Sequence, residues 1–302
     1  MGVYAVTGSA SGMGRAVAER LRSAGHTVIG VDIQAVEAGP GPGSDVVADL
    51  STPLGRRAAI ERVLSAAGEH LNGAVLAAGI GPAPGADRCR LITEVNYFGA
   101  VELLDGWRPA LATSGNGKVV VFSSNATTTM PAVPDRAVRA LLAGDGDRAA
   151  RSVRLFGRNA PAFAYAASKI ALSRWVRRAA VTPDWAGAGI RLNALAPGAI
   201  LTPLLERQLA TPRDAVVVRA FPVPIGGLGD AGQLADWAVF MLSDSASFLC
   251  GSVIFVDGGS DAYFRADDWP QSVPIRRLPA YLRRMKAFAP RRQPSMSTDS
   301  GN

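Results

Sequence analysis

The sequence predicts an α/β fold: one doubly wound parallel sheet with helices on both faces, forming a single domain over residues 1–264. Two observations carry the prediction. Apolar, β-branched runs alternate with helical stretches from the first residues onward, the pattern of a parallel sheet with crossovers. The first such run passes through a glycine-rich turn into a helix, as the opening unit of such sheets does. With 302 residues, 48% of them hydrophobic, the chain can bury a sizeable core.

Gly2 to Thr7 reads as a buried strand. It enters Thr7-Gly8-Ser9-Ala10-Ser11-Gly12-Met13-Gly14, and a helical pattern follows from Arg15 to Ser23, with Gly25 as its stop signal. Glycines in such a turn let the backbone approach a pyrophosphate, and the helix start offers free N–H groups and a positive dipole end. Gly8, Ser11, Gly12, Met13 and Gly14 are therefore candidate binding residues of a Rossmann-type dinucleotide unit.

The next strand, Thr27 to Asp32, ends in a carboxylate. An acid there can accept hydrogen bonds from the adenosine ribose and repels a 2′-phosphate. Ile33 follows it, and Ser11 precedes Gly12, so neither place offers that phosphate an arginine. NAD is expected over NADP. The bland alternative is that Asp32 caps a loop.

Asp49-Leu50 precedes a helical stretch from Pro53 to Gly68. Asn72 to Ala78 reads as a third buried strand ending in Ala78-Gly79. A helix from about Leu91 to Ala112 carries Asn96, a polar amide that needs partners if buried. The strand Lys118 to Phe122 delivers Ser123-Ser124. An alanine-rich run, Phe163 to Ala180, reads as a helix that holds Tyr165 and Lys169. Four residues apart, they share one helix face. A cation near a phenol lowers its pKa and brings the tyrosine closer to use as an acid or base near neutral pH. Taken singly, the pair could be accidental, Asn96 a satisfied core amide and Ser124 a helix cap.

These features together resemble the short-chain dehydrogenase/reductase family, from Val3 to about Gly259. The glycine motif, Asn96, the serine after the Lys118 strand and Tyr165-x-x-x-Lys169 carry the resemblance. Ile190 to Gly198 matches the segment that lies under the nicotinamide, and Asp257-Gly258-Gly259 the end-of-sheet motif. The resemblance implies an NAD-dependent interconversion of a secondary alcohol and a ketone. Tyr165 exchanges the proton on the substrate oxygen, and Ser124 hydrogen-bonds that oxygen. Lys169 lowers the tyrosine pKa and binds the nicotinamide ribose, and Asn96 holds a relay water. Ser124 is chosen over Ser123 because Asn125-Ala126 follows it in the family's manner. The implied cofactor set also takes in Asp49, Leu50, Ala78, Gly79, Pro197, Gly198, Ile200 and Thr202.

Two departures stand out. The family commonly has Asn-Asn-Ala-Gly where this chain has Leu76-Ala77-Ala78-Gly79, so the hydrogen bonds of that asparagine must be made otherwise. Tyr165 also lies 41 positions after Ser124, far beyond the family's usual spacing. An inserted helical segment over residues 125–161, with short helices at Pro134 to Leu142 and Arg148 to Phe156, is expected before the catalytic helix. This insert and the matches at Glu94 to Ala100, Val31 to Ile33, Ala48 to Ser51 and Ala196 to Ala199 resemble the 3α-hydroxysteroid dehydrogenase/carbonyl reductase branch. That branch implies a homodimer and a small apolar carbonyl or hydroxyl substrate, a steroid by the resemblance. A 3-oxoacyl thioester or terpenoid alcohol is the alternative substrate, and a non-catalytic NAD-sensing protein the alternative of another class.

The segment Ile200 to Pro224 supplies Leu201, Leu204, Leu205, Val216 to Val218 and Phe221. It fits a cover over a flat substrate and ordinary packing equally well. Leu201, Leu205 and Phe221 join Ser124 as candidate substrate contacts.

Other chemistries find no support. Cys89, Cys250, His26 and His70 have no metal-type spacing. No apolar run spans a bilayer and no signal sequence opens the chain, so a soluble, cytoplasmic protein is expected. Eight basic and three acidic residues follow Phe264, so the tail carries +5 of the net charge of +7. The body is near neutral, and no nucleic acid is expected. Within the 265–302 extension, residues 290–302 read as disordered. Ala280 to Pro290 reads as a short basic amphipathic helix, for which a solvated tail or a cover over the partner subunit is favoured over an anionic membrane.

Overall fold

The computed structural model describes residues 1–35, 45–210, 212–268 and 272–288. β1 (Val3–Thr7) enters α1 (Gly12–Ser23), followed by β2 (Thr27–Asp32), β3 (Asp45–Val47), α2 (Pro53–Ala67) and β4 (Gly73–Leu76). α3 (Arg88–Thr93) continues through a π-helical turn, Glu94–Phe98, into α4 (Gly99–Ala112), and β5 (Lys118–Phe122) follows. The segment after β5 holds α5 (Ala126–Thr129), α6 (Asp135–Leu142), α7 (Gly146–Ser152) and a 3₁₀ stretch, Arg154–Asn159. Then come α8 (Ala160–Ala179), β6 (Arg191–Pro197), β7 (Ile200–Leu201), α9 (Pro203–Leu209) and α10 (Pro212–Ala220). β8 (Gly229–Asp230), α11 (Ala231–Leu242), β9 (Val253–Val256), α12 (Ser260–Arg265) and α13 (Leu278–Ala287) close the chain.

Seven strands form one sheet in the order β3-β2-β1-β4-β5-β6-β9, and every neighbouring pair is parallel. β1 is the point where the order reverses, with β2 on one side and β4 on the other. Ligand crevices open beyond the carboxyl ends of strands at such a point.

The strand side chains alternate between two apolar layers. Ala5, Ile29, Val31, Ala74, Val119 and Val121 face α2, α3, α4 and α8. Tyr4, Val6, Val28, Val75, Val120 and Phe122 face α1 and α11. The chain divides into two compact units, Met1–Phe264 and Arg265–Asn302. Among the described residues no helix is long and apolar enough to cross a membrane.

Several boundaries differ from the sequence reading. β3 is only three residues long, too short to show a period. The helix expected from Leu91 starts at Arg88 and is broken by the π turn around Asn96. The catalytic helix begins at Ala160, where Pro161 suits the first turn. The expected disorder of residues 290–302 lies outside the described residues.

Candidate active site

The predicted site residues sit at the carboxyl edge of the sheet. The Gly8–Gly14 turn follows β1, Asp32 ends β2, and Asp49-Leu50 follows β3. Ala78-Gly79 follows β4, Ser124 follows β5 and Pro197–Thr202 leaves β6.

The glycine turn owes its shape to contacts that only glycine permits. Gly8 has φ +71°, and a Cβ on Gly14 would overlap the Gly8 carbonyl. The Asp32 carboxylate accepts from Ala10 N at 3.0 Å and from Gln34 N at 3.2 Å. It thereby ties the turn to the end of β2, while Ile33 beside it is exposed. Asp49 is exposed, with Oδ1 accepting from Ser51 N at 2.9 Å. Leu50 is buried and its carbonyl accepts from Arg56.

At the end of β4, Thr7 Oγ1 accepts from Ala77 N at 3.1 Å and Ala78 N at 3.0 Å. A threonine from β1 thus holds the strand end where an asparagine side chain is missing from Leu76-Ala77-Ala78-Gly79.

Asn96 is buried in the π turn and clamps the next backbone unit. Its Oδ1 accepts from Ile80 N at 2.8 Å and its Nδ2 donates to Ile80 O at 3.0 Å. Gly79 lies between this amide and Lys169. A Cβ on Gly79 would stand 3.3 Å from Asn96 Oδ1 and 3.7 Å from Lys169 Nζ. π turns widen a helix locally and cluster at functional sites.

Tyr165 and Lys169 lie one turn apart on α8, with Nζ 5.9 Å from the phenol ring centroid. The Lys169 ammonium is buried and donates to the Phe122 carbonyl at 2.7 Å. Burial lowers its pKa to about 8. The two serines part company. Ser123 Oγ turns to Ser173 Oγ at 2.7 Å, whereas Ser124 Oγ accepts from Ala126 N at 3.1 Å and lines a cavity with Tyr165.

The sequence reading of the tyrosine needs a correction. Burial pushes the Tyr165 phenol above its ordinary value, and the Ser124 hydroxyl hydrogen-bonded to it pulls it only part of the way back.

The cavity has a volume of about 350 Å³, within the about 300–1,000 Å³ of small-molecule sites. Leu205 and Phe221 line it, as do Pro197, Gly198, Ile200 and Thr202. Leu201 does not: Ile200 is buried in β7 and Leu201, the next residue, points outward at 48% exposure. Side chains of Leu204 and Val217 are outside the description. Val218 of the covering segment lines the cavity, and so, without having been singled out, do Thr129 and Met130, from the start of the insert, and Pro82. Only their position just after a strand end signalled them.

Residues 2–134 match the family described as short chain dehydrogenase, and residues 150–261 the one described as enoyl-(acyl carrier protein) reductase. The 3-alpha-hydroxysteroid dehydrogenase/carbonyl reductase of Comamonas testosteroni is 38% identical over 265 residues, 88% of this chain and 98% of that protein. The chain is a short-chain dehydrogenase/reductase. This dehydrogenase is also similar to the 3-alpha-hydroxysteroid dehydrogenase from Pseudomonas sp. B-0831, solved as a complex with NADH. Identity there is 43% and the TM-score 0.76, covering 88% of this chain and 99% of the other. The 3beta-hydroxysteroid dehydrogenase 1 of Eggerthella lenta is 27% identical over 85% of this chain and 93% of its own. As a member of its family, the dehydrogenase is an oxidoreductase that acts on CH–OH groups.

Proposed function

We propose that the chain is an NAD-dependent 3α-hydroxysteroid dehydrogenase/carbonyl reductase. The observation that carries this reading is the mostly apolar cavity that meets Ser124 and Tyr165 at the sheet edge, with Lys169 behind them. The two relatives with whole-length similarity support the substrate class.

The residues present fit a dinucleotide. The glycine turn brings bare backbone to the start of α1, where free N–H groups suit a pyrophosphate. Asp32 offers an acceptor for ribose hydroxyls and disfavours a 2′-phosphate. Bound NAD takes or gives the hydride. Tyr165 holds or releases the proton on the substrate oxygen, and Ser124 donates to that oxygen as its charge develops. Lys169 supplies positive charge close to the phenol and donors for a ribose. Asn96 fixes the Gly79–Ile80 backbone beside Lys169 and orders a water there. Leu205 and Phe221 orient a flat apolar substrate.

Androsterone with NAD, followed by NADH absorbance, tests the proposal against a 3-oxoacyl thioester with NADH. Turnover of the steroid is expected. Turnover of the thioester alone would move the chain to the other substrate class, and NAD binding without turnover of any secondary alcohol would make it a sensing protein. The homodimer is proposed as well. Trp237, Phe240 and Phe248, exposed at 42%, 47% and 103%, support it as apolar surface on and just after α11. Light scattering at the monomer mass would remove it.

A further inference from the structure

The unit that follows Phe264 carries a second candidate surface, independent of the substrate proposed above. The family match ends at residue 261, so this extension is extra to the shared fold. A 3₁₀ turn, Ile275–Arg277, leads into α13, with Pro279 in its first turn. Leu278, Tyr281, Leu282 and Met285 recur at spacings of three and four and so form one stripe. Ile275 and Phe288 prolong it at either end. All six are exposed, Ile275 at 87% and Phe288 at 74%.

The opposite face is cationic. Arg276 and Arg283 occupy it, while Arg277 and Arg284 border the apolar stripe on the Tyr281 side and Lys286 on the Leu282 side. Residues 272–288 contain no aspartate or glutamate. Border cations with long apolar stems can lie along a hydrophobic surface and keep their charge at its polar edge. Tyrosine likewise combines an apolar ring with a polar tip.

The sequence alone favours a solvated tail or a cover over the partner subunit; on the exposed stripe and its flanking cations we propose instead that α13 is an interfacial anchor that lies in the plane of an anionic lipid bilayer. The apolar stripe enters the acyl boundary and the five cations meet the headgroups. Charge complementarity selects the occupant: five cations without an anion call for an extended negative surface.

The test is co-sedimentation of the full chain with phosphatidylcholine vesicles that contain phosphatidylserine. Wild type should sediment at low salt, release at high salt, and ignore pure phosphatidylcholine. Leu282→Asp with Met285→Asp, and separately Arg283→Glu with Arg284→Glu, should each weaken binding more than about tenfold. NADH binding by both variants, followed by fluorescence, should equal that of wild type, which reports an intact fold in residues 1–264. Three results overturn the proposal. Wild type stays in the supernatant; or only the arginine variant loses binding, which reduces the contact to ion exchange; or the Leu282/Met285 variant changes the oligomer mass while vesicles bind neither protein, which assigns the stripe to a second copy.

Discussion

Replacing Lys169 by methionine should make the apo-protein's stability profile flatter against pH, by an amount that can be worked out. Lys169 is 5% exposed, and burial alone brings its pKa from 10.5 to about 8. The unfolded chain therefore binds this proton more tightly than the native one. Between the native and unfolded pKa values, wild-type stability rises with pH. Each pKa unit is worth 1.36 kcal/mol, so the rise from pH 7 to 10.5 amounts to about 3 kcal/mol.

Methionine keeps the length and loses the titration. It also leaves the Phe122 carbonyl without its 2.7 Å donor, at a cost of about 1–3 kcal/mol. That cost does not vary with pH and so drops out of the comparison. The phenols with raised pKa values, Tyr4, Tyr97 and Tyr165, pull stability down at high pH in both proteins alike. Urea midpoints of the two proteins at pH 7, 8.5 and 10.5 are the assay. The variant should be relatively most stable at pH 7 and lose about 3 kcal/mol against wild type by pH 10.5. A stability difference that is the same at all three values would refute the idea that Lys169 is a desolvated cation.

Four further outcomes follow. Tyr165→Phe should lose nearly all turnover, at least about a hundredfold, with NADH affinity by fluorescence unchanged. Asp32→Ala should raise NADP turnover relative to NAD and, since Ala10 N loses its acceptor, lower the melting temperature slightly. Phe221→Ala should raise KM for a steroid more than it lowers kcat, while Leu201→Ala leaves both within twofold, about the scatter of such measurements. Leu141→Ala, in α6 of the insert, should cost about 2–5 kcal/mol by urea titration, because Leu141 is fully buried.

Much of this site was legible in the sequence because the fold places loops, not whole elements, around a ligand. The residues after β1, β2, β4, β5 and β6 all come to one edge once strands and crossovers alternate. A linear motif that ends a strand is thus already a spatial statement. Asn96 was legible as a polar residue in need of partners, and Ile80 supplies both of them. What could not be read were properties set by desolvation and by faces. The spacing of Tyr165 and Lys169 gave their proximity but not the dryness around them, which reverses the expected direction of the phenol shift. Leu201 looked like its neighbours, yet a two-residue strand turns it outward. Thr7 as a substitute for the missing asparagine is a contact between residues 70 and 71 positions apart, which no local pattern signals.

The insert shows how a long detour can leave the tyrosine in place. Ala137, Val138, Ala140 and Leu141 of α6, Ala149 of α7 and Val153 after it belong to the same apolar layer as α8. Phe156 stacks on Phe163 with ring centroids 3.6 Å apart, and Gly146 at the start of α7 meets the Phe98 ring so closely that a Cβ there would stand 2.8 Å from it. Phe98 closes the π turn that carries Asn96, and Phe163 lies two residues before Tyr165. The detour is therefore packed against both helices that present site residues. Its first turn, at Thr129 and Met130, lines the cavity, so the same segment that steadies the tyrosine from behind also shapes what reaches it from the front.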